Sequence, residues 1–187
     1  MARKEDSDIK IFKPSKQIDK DGGVLAFVEG MNHHRQNGNV EKAKELGAKL
    51  ADLAFDSKNK EIISDEIFLS TDIFPQVCAL VLFSAEAALN YYLPSQQLSA
   101  IAINALHEVL SSKKLPVYDT LMSSPAFSFY YLSVRKGGTD IPGDIGDAFA
   151  MLCRHEEDQA FIEEGKKLYN KILEIVEKQI LAIGFSN

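Results

Sequence analysis

The sequence has no tryptophan, and only two cysteines and six prolines among its 187 residues. Two cysteines are too few for the disulfide framework of a small secreted domain, and neither has the neighbours of a zinc site. Cys78 and Cys153 both fall within apolar helical patterns, where a free cysteine behaves as a small buried hydrophobe; a disulfide between them stays open at this point. Basic charge is also scarce: 21 Lys and Arg stand against 27 Asp and Glu, a net charge of −6. Non-specific nucleic-acid affinity is carried by Lys and Arg, so no nucleic-acid partner is expected. No stretch alternates apolar and polar residues over a useful length, which excludes a sheet protein. No GK[ST], GxGxxG, HExxH or paired Glu-x-x-His occurs, and no serine or cysteine has a recognisable nucleophile context. No catalytic residue, cofactor or metal is therefore expected. The opening MARKEDSDIK is charged and lacks the apolar core of a secretory signal, so a cytoplasmic protein is expected.

One long apolar run is present. Ile73 to Leu93 reads IFPQVCALVLFSAEAALNYYL, and apart from Pro75 only Gln76, Ser84, Glu86 and Asn90 interrupt it. A helix apolar on nearly every side is one that other elements enclose. Glu86 near its middle would be costly in lipid, and no Lys or Arg flanks its ends, so a membrane span is not expected. Ser70, Thr71 and Asp72 offer an N-cap, Pro75 is tolerated in a first turn, and Pro94 ends the helix. The run reads as the central helix on which the rest packs.

The remaining chain is punctuated into helices. Residues 1–21 mix both charges closely, with a small Ile9, Ile11, Phe12 hook, and read as a flexible arm ahead of a single helical domain over 22–187. After Asp21-Gly22-Gly23, Val24, Phe27, Val28 and Met31 line one face of a first helix. Asn37-Gly38 ends it, Asn39 can cap the next, and Val40 to about Phe55 forms a second. So short a turn predicts an antiparallel pair. Phe27, Gly30 and Met31, the Asn37-Gly38-Asn39 turn, then Ala43 and Leu50 resemble a tetratricopeptide-type hairpin over about 24–56. The family's closing proline and tryptophan are missing, and no second copy follows at its 34-residue step.

Residues 56–72 read as a connector with a short helix near Lys60–Phe68. Ser95 caps a helix to about Ser111, with Leu98, Ile101, Ala102, Ala105, Leu106 and Val109 on one face and Asn104, His107 and Ser111 opposite. That helix is expected to make a second antiparallel hairpin with the central run. Pro116 and Pro125 each begin a further helix, the second ending at Gly137-Gly138. GGTDIPGDIG, residues 137–146, reads as the clearest loop, with Asp144 capping the helix after it. After a break at 154–158, a long helix runs from Gln159 to about Ile183. The fold expected is all-α, seven or eight helices in antiparallel hairpins around the buried 73–93 helix.

Glu86 is the residue with most chemical interest. It shares a narrow polar line with Asn90 and Gln76, and a carboxylate in such surroundings either holds a basic partner, faces solvent at a gap, or serves a site. Phe127, Phe129, Tyr130 and Tyr131 with Arg135 and Lys136 form the one dense aromatic and basic segment. Together these give a candidate ligand pocket between helices 73–93 and 125–135, with Glu86, Asn90, Tyr130, Tyr131 and Arg135 as its polar contacts. His33, His34, His107 and His155 read as surface histidines. Two functions follow. One is a non-enzymatic helical interaction module whose partner is another protein or a second copy of itself, a homodimer being the simplest closed assembly. The other is a small-molecule-binding helical domain.

Overall fold

The computed structural model describes residues 20–55, 70, 72–114, 116–135 and 139–186. Of these, 84% are helical, in eight α-helices and with no strand among the described residues. The chain divides into two compact units, Met1–Asn37 and Gly38–Asn187. That boundary falls inside the turn of the expected first hairpin, and the expected division at 21/22 lies within the first unit.

In the first unit, α1 spans Lys20–Gln36. It begins at Lys20 rather than after Gly23, so it carries Gly22 and Gly23 within its first turn. Glycine accepts helical angles at a cost of roughly 1 kcal/mol against alanine.

The second unit opens on Gly38, whose φ of 77° is the left-handed conformation that glycine adopts without a Cβ penalty. Asn39, expected as a cap, is the first residue of α2 (Asn39–Phe55). Its side chain is fully buried, donates from Nδ2 to the Ser186 carbonyl at 2.7 Å and accepts from the Ser186 N–H at 3.0 Å. The start of α2 is thereby tied to the far end of the chain, a pairing no local pattern announces.

The central helix, α3, spans Phe74–Tyr92. Every residue from Val77 to Ala85 is buried, so the helix has no solvent face along that stretch. Its one polar residue there, Ser84, donates to the Leu80 carbonyl at 2.7 Å and is satisfied within its own helix. The expected side-chain cap is replaced by backbone: the Ser70 carbonyl accepts from the N–H groups of Ile73 and Phe74, and the capping position, Ile73, makes no side-chain bond. Thr71 lies outside the described residues. No helix among the described residues is long and apolar enough to cross a membrane.

Around α3 stand α4 (Gln96–Ser112), α5 (Pro116–Ser123), α6 (Ala126–Arg135), α7 (Ile141–Leu152) and α8 (Gln159–Ile183), and α3 touches each of them as well as α2. Ser95 caps α4 as expected, accepting from Leu98 N at 3.3 Å. Chain neighbours are not always the main packing partners. α4 packs chiefly on α2, and α3 chiefly on α8. The α2–α4 contact is close because Gly47 leaves room for it: a Cβ there would strike the Ala102 carbonyl oxygen and lie 2.9 Å from Leu106 N.

The stretch expected as the clearest loop is mostly helix. α7 begins at Ile141, and its cap is Asp140, which accepts from Gly143 N at 3.0 Å, rather than Asp144. Pro142 sits in the first turn, where its missing N–H costs nothing. Gly146 is there for packing, since a Cβ would meet the Ile162 backbone of α8. Glycine here serves close approach rather than a turn. The expected short helix at 60–68 and the Gly137-Gly138 closure lie outside the described residues.

Candidate functional site

α3 changes character at its C-terminal third. From Val77 to Ala85 it is enclosed, but Glu86, Ala87 and Asn90 reach its surface. Between α3 and α6 lies a cavity of about 620 Å³, bordered on the α3 side by Phe83, Glu86, Ala87, Asn90 and Tyr91. The α6 side supplies Phe127, Ser128, Tyr131 and Val134. Such a volume is in the range of small-molecule sites. Phe83 and Phe127 meet edge to face, with ring centroids 6.0 Å apart at 80°.

Glu86 is held from behind. Its Oε1 lies 2.8 Å from His107 Nε2 of α4, and His107 Nδ1 lies 2.8 Å from the Tyr118 hydroxyl of α5. A carboxylate only accepts, so Nε2 carries the proton in the Glu86 bond, and a neutral ring then accepts from Tyr118 through Nδ1. The glutamate and histidine side chains are each 23% exposed, neither sealed nor freely solvated. Burial pushes the Tyr118 hydroxyl above its ordinary pKa, and the negative charges of Glu86 and Asp119 push it the same way. The phenol therefore stays protonated and able to donate. A second, smaller cavity of about 270 Å³ borders the same group, lined by Glu86, His107, Leu121, Met122, Ser124 and Phe127.

No family model matches the chain, and no curated protein or solved structure matches it. The functional reading rests on the geometry.

Of the five residues singled out in the sequence, the structure brings Glu86, Asn90 and Tyr131 to the α3–α6 cavity. Tyr130 and Arg135 are placed elsewhere. Tyr130 is fully buried, its ring 5.3 Å from Phe83, and its hydroxyl has no hydrogen-bond partner. Burial, and then the neighbouring Cys153, push that hydroxyl well above its ordinary pKa. Tyr130 thus supports the wall of the cavity through Phe83. Arg135, at the exposed end of α6, borders none of the cavities described here.

His107 is the main site residue that sequence reasoning missed. It was expected on the outer face of α4, yet it is the basic group that meets Glu86. The available signal was the polar line of α3, since a carboxylate set in an apolar helix calls for a partner. Nothing in the sequence singled out His107 over the other three histidines, because the contact joins residues 21 positions apart on two helices. His155, by contrast, stacks on Phe161 at 3.9 Å and lies 3.8 Å from Asp158.

Both thiols are free, and burial pushes Cys78 and Cys153 up to about 12. They stay protonated at neutral pH and are poor nucleophiles. Cys153 borders a third cavity of about 590 Å³ with Asp72, Gln76, Arg154 and His155. Arg154 stands there with φ at 62°, in a helix-ending turn where glycine is the usual residue. Among the described residues no three His, Cys, Asp or Glu side chains converge as a metal site would require.

Proposed function

We propose that the chain is a small-molecule-binding helical domain whose site is the α3–α6 cavity. One observation carries this reading. Glu86 is fixed by His107 through one oxygen, while no hydrogen bond engages its other oxygen among the described residues, and it borders an aromatic-lined cavity of about 620 Å³. A carboxylate oriented in this way is a ready hydrogen-bond acceptor amid apolar walls, the usual composition of a ligand site.

A fragment screen by thermal shift tests it. Ala87→Phe places a ring in the cavity from a partly exposed position on α3. Fragments that raise the Tm of the natural chain should lose their effect in that variant. Undiminished responses in Ala87→Phe place the binding elsewhere and reject the cavity as the site.

A second reading is favoured by a different feature. On α1, Val24 and Leu25 are each 62% exposed and Val28 47%, and on α6 Leu132 is 53% exposed. Apolar side chains turned outward in this number favour an interaction module, with another protein or a second copy as partner. Light scattering across a hundred-fold concentration range tests self-association. A mass fixed at one chain throughout rejects it.

A further inference from the structure

The chemistry of the cavity wall narrows what it accepts, and this inference rests on the cavity being the site. Four aromatic rings border it, from Phe83, Tyr91, Phe127 and Tyr131. Among the described residues that border it, Glu86 is the one ionisable carboxylate, and no Lys, Arg or His joins it there. An anion entering this space would meet a carboxylate and the negative faces of π-systems with no cation to receive it. An ammonium would meet the reverse: an acceptor oxygen with charge, and ring faces that attract cations. The chain as a whole is acidic, with a net charge of −6, so its field also draws cations rather than anions.

His107 shapes this preference without occupying the cavity. It takes Glu86 Oε1 from the α4 side, restricting the rotamers of the carboxylate, and its own ring is fixed through Tyr118. A carboxylate held in place by such a bond needs less ordering when it receives a ligand. Asn90 lies one helical turn beyond Glu86 on the same border and offers both an amide donor and an acceptor. We infer that the α3–α6 cavity binds small organic amines, with the ammonium on Glu86 and an apolar or aromatic body among Phe83, Phe127 and Tyr131. The volume of about 620 Å³ accommodates an arylalkylamine.

Three probes of one shape test this: phenethylamine, 2-phenylethanol and 3-phenylpropionate, titrated calorimetrically into the full chain at pH 8. The expected result is an amine bound about ten-fold or more tighter than the alcohol, which corresponds to one charge-assisted contact, and an acid bound weakest. Glu86→Gln keeps an oxygen for His107 and should lower amine affinity about ten-fold while leaving the alcohol within about two-fold. Tyr131→Ala, at an exposed position, should weaken amine and alcohol alike. If the alcohol or acid binds the natural chain as tightly as the amine, the amine assignment falls while the cavity remains the site. If none of the three binds, both fall. The ratio among probes in the natural chain decides the matter even where Glu86→Gln does not fold.

Discussion

His107 Nε2 and Glu86 Oε1 are 2.8 Å apart, joining α4 to the central helix just past its fully buried stretch. The bond lies in a partly enclosed place, with each side chain 23% exposed, so solvent screens it less than a fully exposed pair. A double-mutant cycle with Glu86→Gln and His107→Gln should give a coupling energy of about 1 kcal/mol by urea unfolding. A coupling indistinguishable from zero contradicts the role of His107 as anchor of that carboxylate.

Tyr130 carries the least comfortable hydroxyl in the described core. It is fully buried without a partner, so deleting it removes a desolvated polar atom at the cost of a small void. Tyr130→Phe is expected to leave stability unchanged or raise it by about 1 kcal/mol. A loss of more than about 1 kcal/mol in chemical denaturation contradicts the unpartnered assignment.

Alkaline pH should unfold the chain along a path set by its buried acids. For Cys78 and Cys153, the ordinary value of 9.0 rises to about 12 in the folded chain, and Tyr130 is raised as well. A raised folded-state pKa means the native state holds its proton longer than the unfolded state. The stability this confers is complete below about pH 9 and is lost as pH climbs towards 12. Urea midpoints measured from pH 7 to 11 should therefore hold steady to about 9 and then fall. Tyr130→Phe and Cys78→Ala should each flatten the fall. A midpoint that rises above pH 9 has the wrong sign for this account.

Gly47 is where α2 and α4 come closest. A methyl group there meets the backbone of Ala102 and Leu106, which cannot rotate away as a side chain does. Gly47→Ala is expected to cost about 3 kcal/mol despite alanine's better helix propensity. A gain in Tm from this substitution contradicts the α2–α4 packing.

Most of the helical framework was legible because it is written in local chemistry. The apolar run of α3, the Ser95 cap, Pro116 and the break before Gln159 each act within a few residues. The start of α7 was not, because Gly143 and Gly146 look like loop residues until Asp140 caps the helix and Ile162 presses on Gly146. The site divides along the same line. Glu86 and Asn90 lie on the polar line that helical spacing sets along α3, and Tyr131 belongs to the aromatic run of α6, whereas the inward turn of Tyr130 depends on which face of α6 meets Phe83. Asn39 was expected to cap locally, and its pairing with Ser186 links residues 147 apart, beyond any pattern of spacing.

The most direct measurement is an amide chemical-shift map of the isotopically labelled chain titrated with phenethylamine. The expected result is saturable shifts clustered at Glu86, Ala87, Asn90, Ser128, Tyr131 and Val134, and much reduced in Glu86→Gln. Shifts scattered over α2, α4 and α8, or centred on Asp72 and Arg154, contradict it.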